Sequence, residues 1–225
     1  MEKNLILEVI RIHSDSTSCF SVVFRRPHNF DFEPGDWMDI CFDNNPAAGV
    51  RTFSFSSSPT EPDLMITSKK GVSIFKKQLE ALQPGDKVRV TQYGNSGFNL
   101  NLKNKSVCVA GGIGISPFRS MFKYIVDTNS KLESTLIYLS RSDDFPFKAA
   151  LDTWSQANPS VKIHYIDSAL QGRLKPETIL KLAPIENGVT YFLAGPPAMV
   201  LNIENMLMKA GAKMDAIQDD AFTGY

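Results

Sequence analysis

The sequence predicts an antiparallel Greek-key β barrel followed by an α/β domain with a doubly wound parallel sheet. Short runs rich in Val, Ile, Phe and Thr, separated by Pro, Gly, Asn and Asp, fill the first hundred residues. Farther along, apolar runs alternate with helical patterns, as they do in parallel sheets with helical crossovers. The length of 225 residues suits two domains of about 100–120 residues each. We therefore predict domains at 1–103 and 104–225.

The barrel domain is expected to contain six strands and one helix. Pro-Gly-Asp precedes two of the strands, where Pro fixes φ and Gly supplies a permissive corner. Phe75, Leu79 and Leu82 recur at helical spacing and indicate a helix over 73–83, which ends before Pro84. The predicted strands are 5–12, 19–24, 37–42, 51–56, 64–68 and 87–92.

The second domain is expected to contain four parallel strands, joined by helices, after a linker at 100–106. The predicted strands are 106–112, 135–140, 162–167 and 190–195. The predicted helices are 117–128, 145–156, 175–183 and 197–211.

Composition and charge argue against several classes of function. Lys plus Arg equals Asp plus Glu at 24 each, so the chain lacks the positive charge of a general nucleic-acid binder. Cys19, Cys41 and Cys108 form no C-x-x-C pair, which argues against a disulfide framework or an iron–sulfur cluster and fits a reducing compartment. The histidines lack metal-ligand spacing. No segment has the ~20 apolar residues that span a bilayer. We expect a cytoplasmic protein with no metal, no nucleic-acid partner and no membrane insertion.

Two motifs in the barrel domain carry candidate binding groups. RTFSFSSSP (51–59) places Arg51 in a strand, where it is either a ligand contact or a solvated charge. Gly71, Val72 and Ser73 open the predicted helix. A helix N-terminus presents unpaired N–H groups and a partial positive charge, so this turn can hold a phosphate. The alternative is that Ser73 simply caps its helix.

Two further motifs follow strands of the second domain and open helices. AGGIGISPFRSM (110–121) contains Gly112 and Gly114, which permit a tight turn close to a pyrophosphate, and Pro117 in the first helical turn. The pattern is G-x-G-x-x-P rather than the G-x-G-x-x-G dinucleotide fingerprint. FLAGPPAMV (192–200) is either a ligand loop or an ordinary helix start. Ligands of open α/β sheets gather outside the carboxyl ends of the strands, so both loops are expected to line one crevice.

Together and in this order, the four motifs resemble those of the ferredoxin–NADP reductase superfamily, in particular its short bacterial members. RTFSFSSSP resembles the flavin motif R-x-[YF]-[ST], and KGVSIFKK resembles the phosphate-binding G-x-x-S turn. AGGIGISPFRSM resembles G-G-x-G-[IV]-[ST]-P, AGPPAMV resembles [CA]-G-P-x-x-M, and DDAFTGY resembles the endings of short members. The resemblance spans essentially the whole chain. It implies an FAD-binding barrel and an NAD(P)-binding α/β domain.

The resemblance also implies roles for the matching positions. Arg51 would pair with the FAD pyrophosphate, Phe53 would stack on the isoalloxazine, and Ser54 would hydrogen-bond near flavin N5. Phe53, Ser54 and Tyr225 are the implied catalytic residues; either Tyr225 or Phe222 would cover the flavin, unless this tail is frayed. The implied cofactor-binding residues are Arg51, Thr52, Phe53, Ser54, Gly71, Val72, Ser73, Gly112, Gly114, Ser116, Pro117, Ser140, Arg141, Arg173, Gly195, Pro196 and Met199.

The implied activity is hydride transfer from NADPH or NADH to FAD. The electrons would then pass to a separate acceptor, namely a ferredoxin, a flavodoxin or an oxygenase component. Arg141 and Arg173 match positions that meet a 2′-phosphate in relatives, which favours NADPH, whereas Asp143 and Asp144 would repel that phosphate. For both arginines the alternative is a solvated surface position. The competing function is a flavin-binding electron-transfer subunit or redox sensor without NAD(P)H turnover.

Overall fold

A computed structural model describes residues 5–100, 104–172 and 175–222, which form two sheets. The first sheet is antiparallel, as the alternating strands and turns predict. Its strands are β1 (Leu5–Ser14), β2 (Cys19–Phe24), β3 (Trp37–Cys41), β4 (Arg51–Ser54), β5 (Leu64–Lys69) and β6 (Lys87–Gly94). Their spatial order is β4-β3-β6-β1-β2-β5, so the sheet begins and ends with β4 and β5.

This sheet curls into a half-barrel around an apolar core that includes the buried Phe20, Met38 and Phe55. The described residues form no regular ladder between the edge strands β4 and β5. Instead, the amides of Ser56 and Ser57 both donate to the Met65 carbonyl, at 2.7 and 3.3 Å. The predicted strand 51–56 therefore ends at Ser54, because the chain beyond it turns to cross the open edge.

The barrel half contains the predicted helix in a shorter form, α1 (Ile74–Glu80). The chain leaves the helix before Gln83 because its amide donates to the Asp86 carboxylate at 2.7 Å, and Gly85 adopts a φ of 94° in the turn. This turn delivers the chain directly into β6.

The second sheet is parallel, which confirms the predicted α/β architecture. Its strands are β7 (Lys105–Gly111), β8 (Ser134–Ser140), β9 (Val161–Asp167), β10 (Val189–Gly195) and β11 (Ile217–Ala221), in the order β11-β10-β7-β8-β9. The helices are α2 (Ile115–Asp127), α3 (Lys148–Ala157), α4 (Ser168–Gln171), α5 (Pro176–Leu182) and α6 (Pro197–Lys209).

Helices cover both faces of this sheet. Phe118 of α2 and Leu151 of α3 are buried in the core of one face, whereas Ile179 of α5 and Ile203 of α6 are buried in the core of the other. None of the helices in the described ranges has the length and apolar character that crossing a bilayer requires. The predicted boundary after residue 103 falls between β6 and β7 and stays a prediction.

The edge strand β11 was not predicted from the sequence. Its residues Ile217–Ala221 read IQDDA, and each of them is exposed or half-buried. The strand pairs with β10 alone, so its polar side chains are free to face water or the barrel. This edge brings two carboxylates, Asp219 and Asp220, to the end of the sheet that faces the candidate site.

Candidate functional site

The carboxyl ends of β7 and β10 form the switch point of the parallel sheet. The chain leaves β7 toward β8 on one side and returns to β10 on the other, which opens a crevice between the two strand ends. A Cβ on Gly114 would lie 2.2 Å from the Ala194 carbonyl oxygen. Gly195 adopts a φ of 145°, and its Cβ would lie 2.9 Å from the Gly111 carbonyl oxygen. The two predicted loops therefore meet through backbone contacts that a side chain would prevent.

Within the crevice, the predicted residues divide into open and packed positions. A Cβ on Gly112, which has a φ of 54°, would meet no atom within 4 Å, so this turn presents bare backbone. Met199 packs against Gly111, because a Cβ there would lie 2.4 Å from its Sδ. Ser116 is buried, and its hydroxyl donates to the Ile113 carbonyl at 2.9 Å.

Both prolines of this group shape helix starts. Pro117 is buried in the first turn of α2, and Pro196 is the residue immediately before α6. The carbonyl of Pro196 accepts a hydrogen bond from the Met199 amide at 2.8 Å. Backbone amides of these turns, rather than the packed side chains, are the groups that can face an anionic ligand.

On the barrel, the structure brings Arg51 and Phe53 to the start of α1. The Arg51 guanidinium carbon lies 5.6 Å from the ring centroid of Phe75, the second residue of α1. The Phe53 ring stacks on the same ring, with centroids 5.9 Å apart and planes at 27°. Arg51 is exposed and donates to the Val50 carbonyl at 2.7 Å, and no carboxylate of the described residues forms an ion pair with it. Its charge is thus available to an anion.

The turn before α1 is basic and open. Val72 is 88% exposed, and the Ser73 hydroxyl accepts from the Lys76 amide at 3.3 Å, as the helix-cap alternative predicts. The Lys76 stem lies against Gly71, where a Cβ would be 2.8 Å from Cδ. Burial lowers the pKa of Lys76, and the nearby Lys69 lowers it further. A phosphate at this turn would relieve the repulsion between the two lysines, and Ser73 would contribute its main-chain amide.

A hydrogen bond joins the barrel to the crevice. The Ser54 hydroxyl donates to Asp220 Oδ2 at 3.0 Å, across 166 residues of chain. Asp220 lies on β11 opposite Ala194 at the end of β10. Burial raises the pKa of Asp220 and the neighbouring Asp219 raises it further, while the Ser54 hydroxyl opposes both effects. Asp220 was not predicted as a site residue; the only signal for it in the sequence is the resemblance of DDAFTGY to the endings of short family members.

The remaining predicted residues lie at the borders of this site. The Thr52 hydroxyl donates to Asp39 Oδ1 at 2.5 Å on the neighbouring strand β3. The amide of Phe222, which is half-buried, donates to the Gly195 carbonyl at 2.9 Å, so the chain after β11 is tied to the crevice. Arg173 and Tyr225 lie outside the described residues.

The region after β8 contains a contact with the barrel that the sequence does not predict. Asp144 accepts hydrogen bonds from the Ser18 amide, the Thr17 amide and the Ser16 hydroxyl at 3.0, 3.2 and 3.1 Å. Burial alone would raise the pKa of Asp144, but these hydrogen bonds hold it below its ordinary value. Its carboxylate therefore binds the loop at 16–18, while the Arg141 side chain is exposed.

Ser140 has a structural role in the same region. Its hydroxyl donates to the Asp144 carbonyl at 3.0 Å, and its carbonyl accepts from the Ser168 hydroxyl at 2.8 Å. Across 5–100, 104–172 and 175–222, no group of three His, Cys, Asp or Glu side chains is arranged to hold a metal ion.

Sequence comparisons point to reductases. Residues 108–205 match the family described as the oxidoreductase NAD-binding domain. The chain is 23% identical over 222 residues to a glycine betaine monooxygenase reductase subunit of Pseudomonas aeruginosa, covering 92% of this chain and 60% of that protein. It is 29% identical over 163 residues to an NADH-cytochrome b5 reductase of Kluyveromyces lactis, covering 66% of this chain and 57% of that protein. The chain thus spans less than two thirds of the length of these curated relatives.

Solved structures share the two-sheet arrangement. A ferredoxin–NADP+ reductase from Plasmodium falciparum superposes with a TM-score of 0.83 at 17% identity, covering 98% of this chain and 97% of that one. A cytochrome P450 reductase from Amycolatopsis gives a TM-score of 0.81 at 18% identity, covering 99% and 71%. At these identities the likeness is one of fold. Residues 108–205 thus match an oxidoreductase NAD-binding domain, and the whole chain shares the fold of these reductase structures.

Proposed function

We propose that the chain is an NAD(P)H-dependent flavoenzyme that takes hydride onto FAD and passes electrons to a separate acceptor. The observation that carries this proposal is the Ser54–Asp220 hydrogen bond, which joins strand β4 to the switch-point crevice. Arg51 and Phe53 lie on the same strand as Ser54. A flavin bound along β4 would therefore lie beside the crevice in which a nicotinamide would bind.

The barrel residues fit the two ends of an FAD molecule. Arg51 offers a guanidinium without a carboxylate partner among the described side chains, and the turn at 71–73 offers exposed amides beside Lys76. Both groups suit a pyrophosphate, which FMN lacks. Phe53 offers a half-buried ring face for an isoalloxazine. When bound, FAD would supply the chemistry of accepting a hydride and releasing electrons.

The protein's own contribution is to position the reactants and to manage a proton. Phe53 and the crevice glycines Gly112 and Gly195 would orient the two rings against each other. The Ser54 hydroxyl would donate to the reacting edge or to Asp220, depending on which acceptor carries more charge. Because burial raises the pKa of Asp220, this carboxyl can hold a proton at Oδ2 more readily than a surface aspartate.

For the nucleotide, we propose NADPH rather than NADH. Arg141 is exposed after β8, and the Asp144 carboxylate is held by hydrogen bonds to the loop at 16–18. Arg173 is proposed as a second contact for the 2′-phosphate, on the basis of the sequence alone. Two separate units, 1–103 for FAD and 104–225 for the nucleotide, are part of the same proposal.

For the acceptor, we propose a small electron-carrier protein or an oxygenase component. The support comes from the names of relatives: one is the reductase subunit of a glycine betaine monooxygenase, and one solved neighbour is a cytochrome P450 reductase. We also propose a cytoplasmic location, since Cys19, Cys41 and Cys108 are all unpaired thiols.

A flavin-binding assay followed by a turnover assay tests this proposal. The purified protein is mixed with FAD or FMN, freed of unbound flavin, and assayed with NADPH and NADH using ferricyanide as the acceptor. We expect retained FAD and faster turnover with NADPH. Retained flavin with no oxidation of either nucleotide would support the competing function, an electron-transfer subunit or sensor. Retention of neither flavin would refute both.

A further inference from the structure

We propose that Arg119 is a positioning residue for hydride transfer, because it joins the segment just beyond strand β4 to helix α2. This inference rests on the proposed function. Arg119 belongs to α2, immediately after the glycine turn that closes the crevice, yet its guanidinium binds the barrel. We call Arg119, Glu61, Phe147 and Trp154 the domain clamp.

The polar half of the clamp crosses between the two domains. Arg119 Nη2 donates to Glu61 Oε1 at 2.9 Å, and Nη1 contacts both Glu61 Oε2 and the Ser56 carbonyl, the latter at 2.9 Å. Only 12% of the Arg119 side chain is exposed. A paired guanidinium held away from water has a fixed geometry, unlike a surface ion pair.

The aromatic half of the clamp comes from the nucleotide domain. The guanidinium carbon lies 5.6 Å from the Phe147 ring centroid and 5.4 Å from that of Trp154. Phe147 adopts a left-handed backbone conformation, with φ 66° and ψ 9°, at the start of α3. A bulky residue rarely occupies this region, so the local strain indicates that the surroundings hold the ring in place.

The clamp connects the two halves of the proposed reaction site. Ser56, whose carbonyl accepts from Arg119, lies two residues beyond Ser54. On the other side, Arg119 lies five residues beyond Gly114. A displacement at the clamp would therefore change the distance between strand β4 and the glycine turn that contains Gly114. Reacting atoms must approach to about 3–3.5 Å, and a misplacement of about 1 Å can slow a reaction about 100-fold.

The interface beside the clamp is not closely packed. A cavity of about 160 Å³, lined in part by His13, Asp15 and Phe147, adjoins Arg119. Apolar packing between the domains involves Phe98, whose ring contacts those of Phe118 and Phe192. Separate contacts keep them attached: Thr60 donates to Asp127 at 2.5 Å, and Asp144 binds the loop at 16–18. Loss of Arg119 is therefore expected to loosen the orientation of the domains without separating them.

Flavin reduction in the FAD-loaded protein distinguishes positioning from simple stabilisation. Arg119→Met, Arg119→Lys and Glu61→Gln are compared with wild type by anaerobic rapid mixing over a range of NADPH concentrations. We expect Arg119→Met to lower the limiting reduction rate roughly 10–100-fold, with little change in the NADPH dissociation constant or in FAD content. Arg119→Lys should have a limiting reduction rate between those of wild type and Arg119→Met, because a lysine ammonium keeps the charge but cannot form the two-pronged contact of a guanidinium.

A matched control is available within the barrel. Arg89 binds Asp43 through two nitrogens at 2.6 and 2.7 Å, but both residues belong to the barrel. Arg89→Met is expected to reduce flavin at the wild-type limiting rate. A wild-type rate in Arg119→Met, or an equal loss in Arg89→Met, would overturn the inference. If Arg119→Met loses FAD, Glu61→Gln decides: a slower limiting rate with unchanged NADPH affinity supports the clamp, and an unchanged rate refutes it.

Calorimetry of the flavin-free protein separates this inference from the proposed function. The clamp predicts that the two domains unfold less cooperatively in Arg119→Met than in wild type, because one of the contacts that couple them is lost. If wild-type flavin is never reduced by NADPH or NADH, the proposed function fails, and the calorimetric comparison still tests the clamp. Identical transitions in both proteins would refute it.

Discussion

Replacement of Ser54 by Ala tests the contact between strand β4 and the crevice. Ser54 is 6% exposed, and its hydroxyl donates to Asp220 at 3.0 Å. A hydrogen bond to a charged group contributes about 1.5–3 kcal/mol. Because Asp220 is half-buried and retains some access to water, we expect the free energy of unfolding to fall by about 1–2 kcal/mol.

The same substitution should slow flavin reduction while FAD stays bound. We expect a loss of roughly 10–1000-fold in the limiting rate, or about 1.4–4 kcal/mol of barrier at about 1.36 kcal/mol per decade. Anaerobic stopped-flow bleaching isolates this step from the acceptor. Ser56→Ala is the matched control, since Ser56 is also buried but its hydroxyl contacts Thr67 at 2.7 Å. A wild-type rate in Ser54→Ala, or an equal loss in Ser56→Ala, would refute the reasoning.

Asp220 gives this prediction a pH dependence. Its raised pKa means that the folded protein keeps a proton that the unfolded chain has released, so stability falls as pH rises from the ordinary value of 3.8 through the raised pKa. The Ser54 hydroxyl lowers that pKa. Without it the pKa of Asp220 is higher still, so the folded protein loses more stability as the pH rises. The stability difference between Ser54→Ala and wild type should therefore be small near pH 4 and grow toward about pH 7. Urea unfolding at both values measures it, and a constant difference would contradict it.

Three further substitutions probe the rest of the site. Arg51→Ala should weaken FAD retention by about 1.5–3 kcal/mol, because it removes a charged hydrogen bond to phosphate, and equilibrium dialysis of FAD measures this; unchanged retention would exclude the contact. Arg141→Ala should lower kcat/KM for NADPH and leave NADH nearly unchanged, whereas equal losses in steady-state assays would assign it a structural role. Gly114→Ala would place Cβ 2.2 Å from the Ala194 carbonyl oxygen. We therefore expect the free energy of unfolding to fall by about 1–3 kcal/mol and nucleotide binding to weaken. Urea unfolding and NADP+ titration measure the two effects, and wild-type values in both would show that the backbone relaxes to admit the methyl group.

Much of the fold could be predicted because the elements that form the two cores have strong local patterns. β2 lies in CFSVVF and β10 in VTYFLAG, and every residue of both strands is buried. β11 escaped prediction because an edge strand with one neighbour needs no apolar run, and IQDDA has none. The end of α1 was misplaced because hydrogen bonding between Gln83 and Asp86 ends the helix earlier than its apolar spacing suggests.

The candidate site was predicted where motifs are contiguous and missed where it depends on distant pairs. The glycine turn at 110–114 and Gly195 come together as the strand–turn–helix pattern indicates. Asp220 and Arg119 act across separations of 166 and 58 residues, which no local pattern encodes. For the same reason no local pattern predicts that Asp144 binds the loop at 16–18.

Anaerobic titration of the FAD-loaded protein with NADPH tests the central claim most directly. The visible flavin absorbance and the nicotinamide absorbance are followed together, with free FAD at the same concentration as the control. We predict that bound flavin bleaches as NADPH is added, with one nicotinamide oxidised per flavin, while free FAD reacts far more slowly. Protein-bound FAD that stays oxidised in excess NADPH and in excess NADH would contradict this claim.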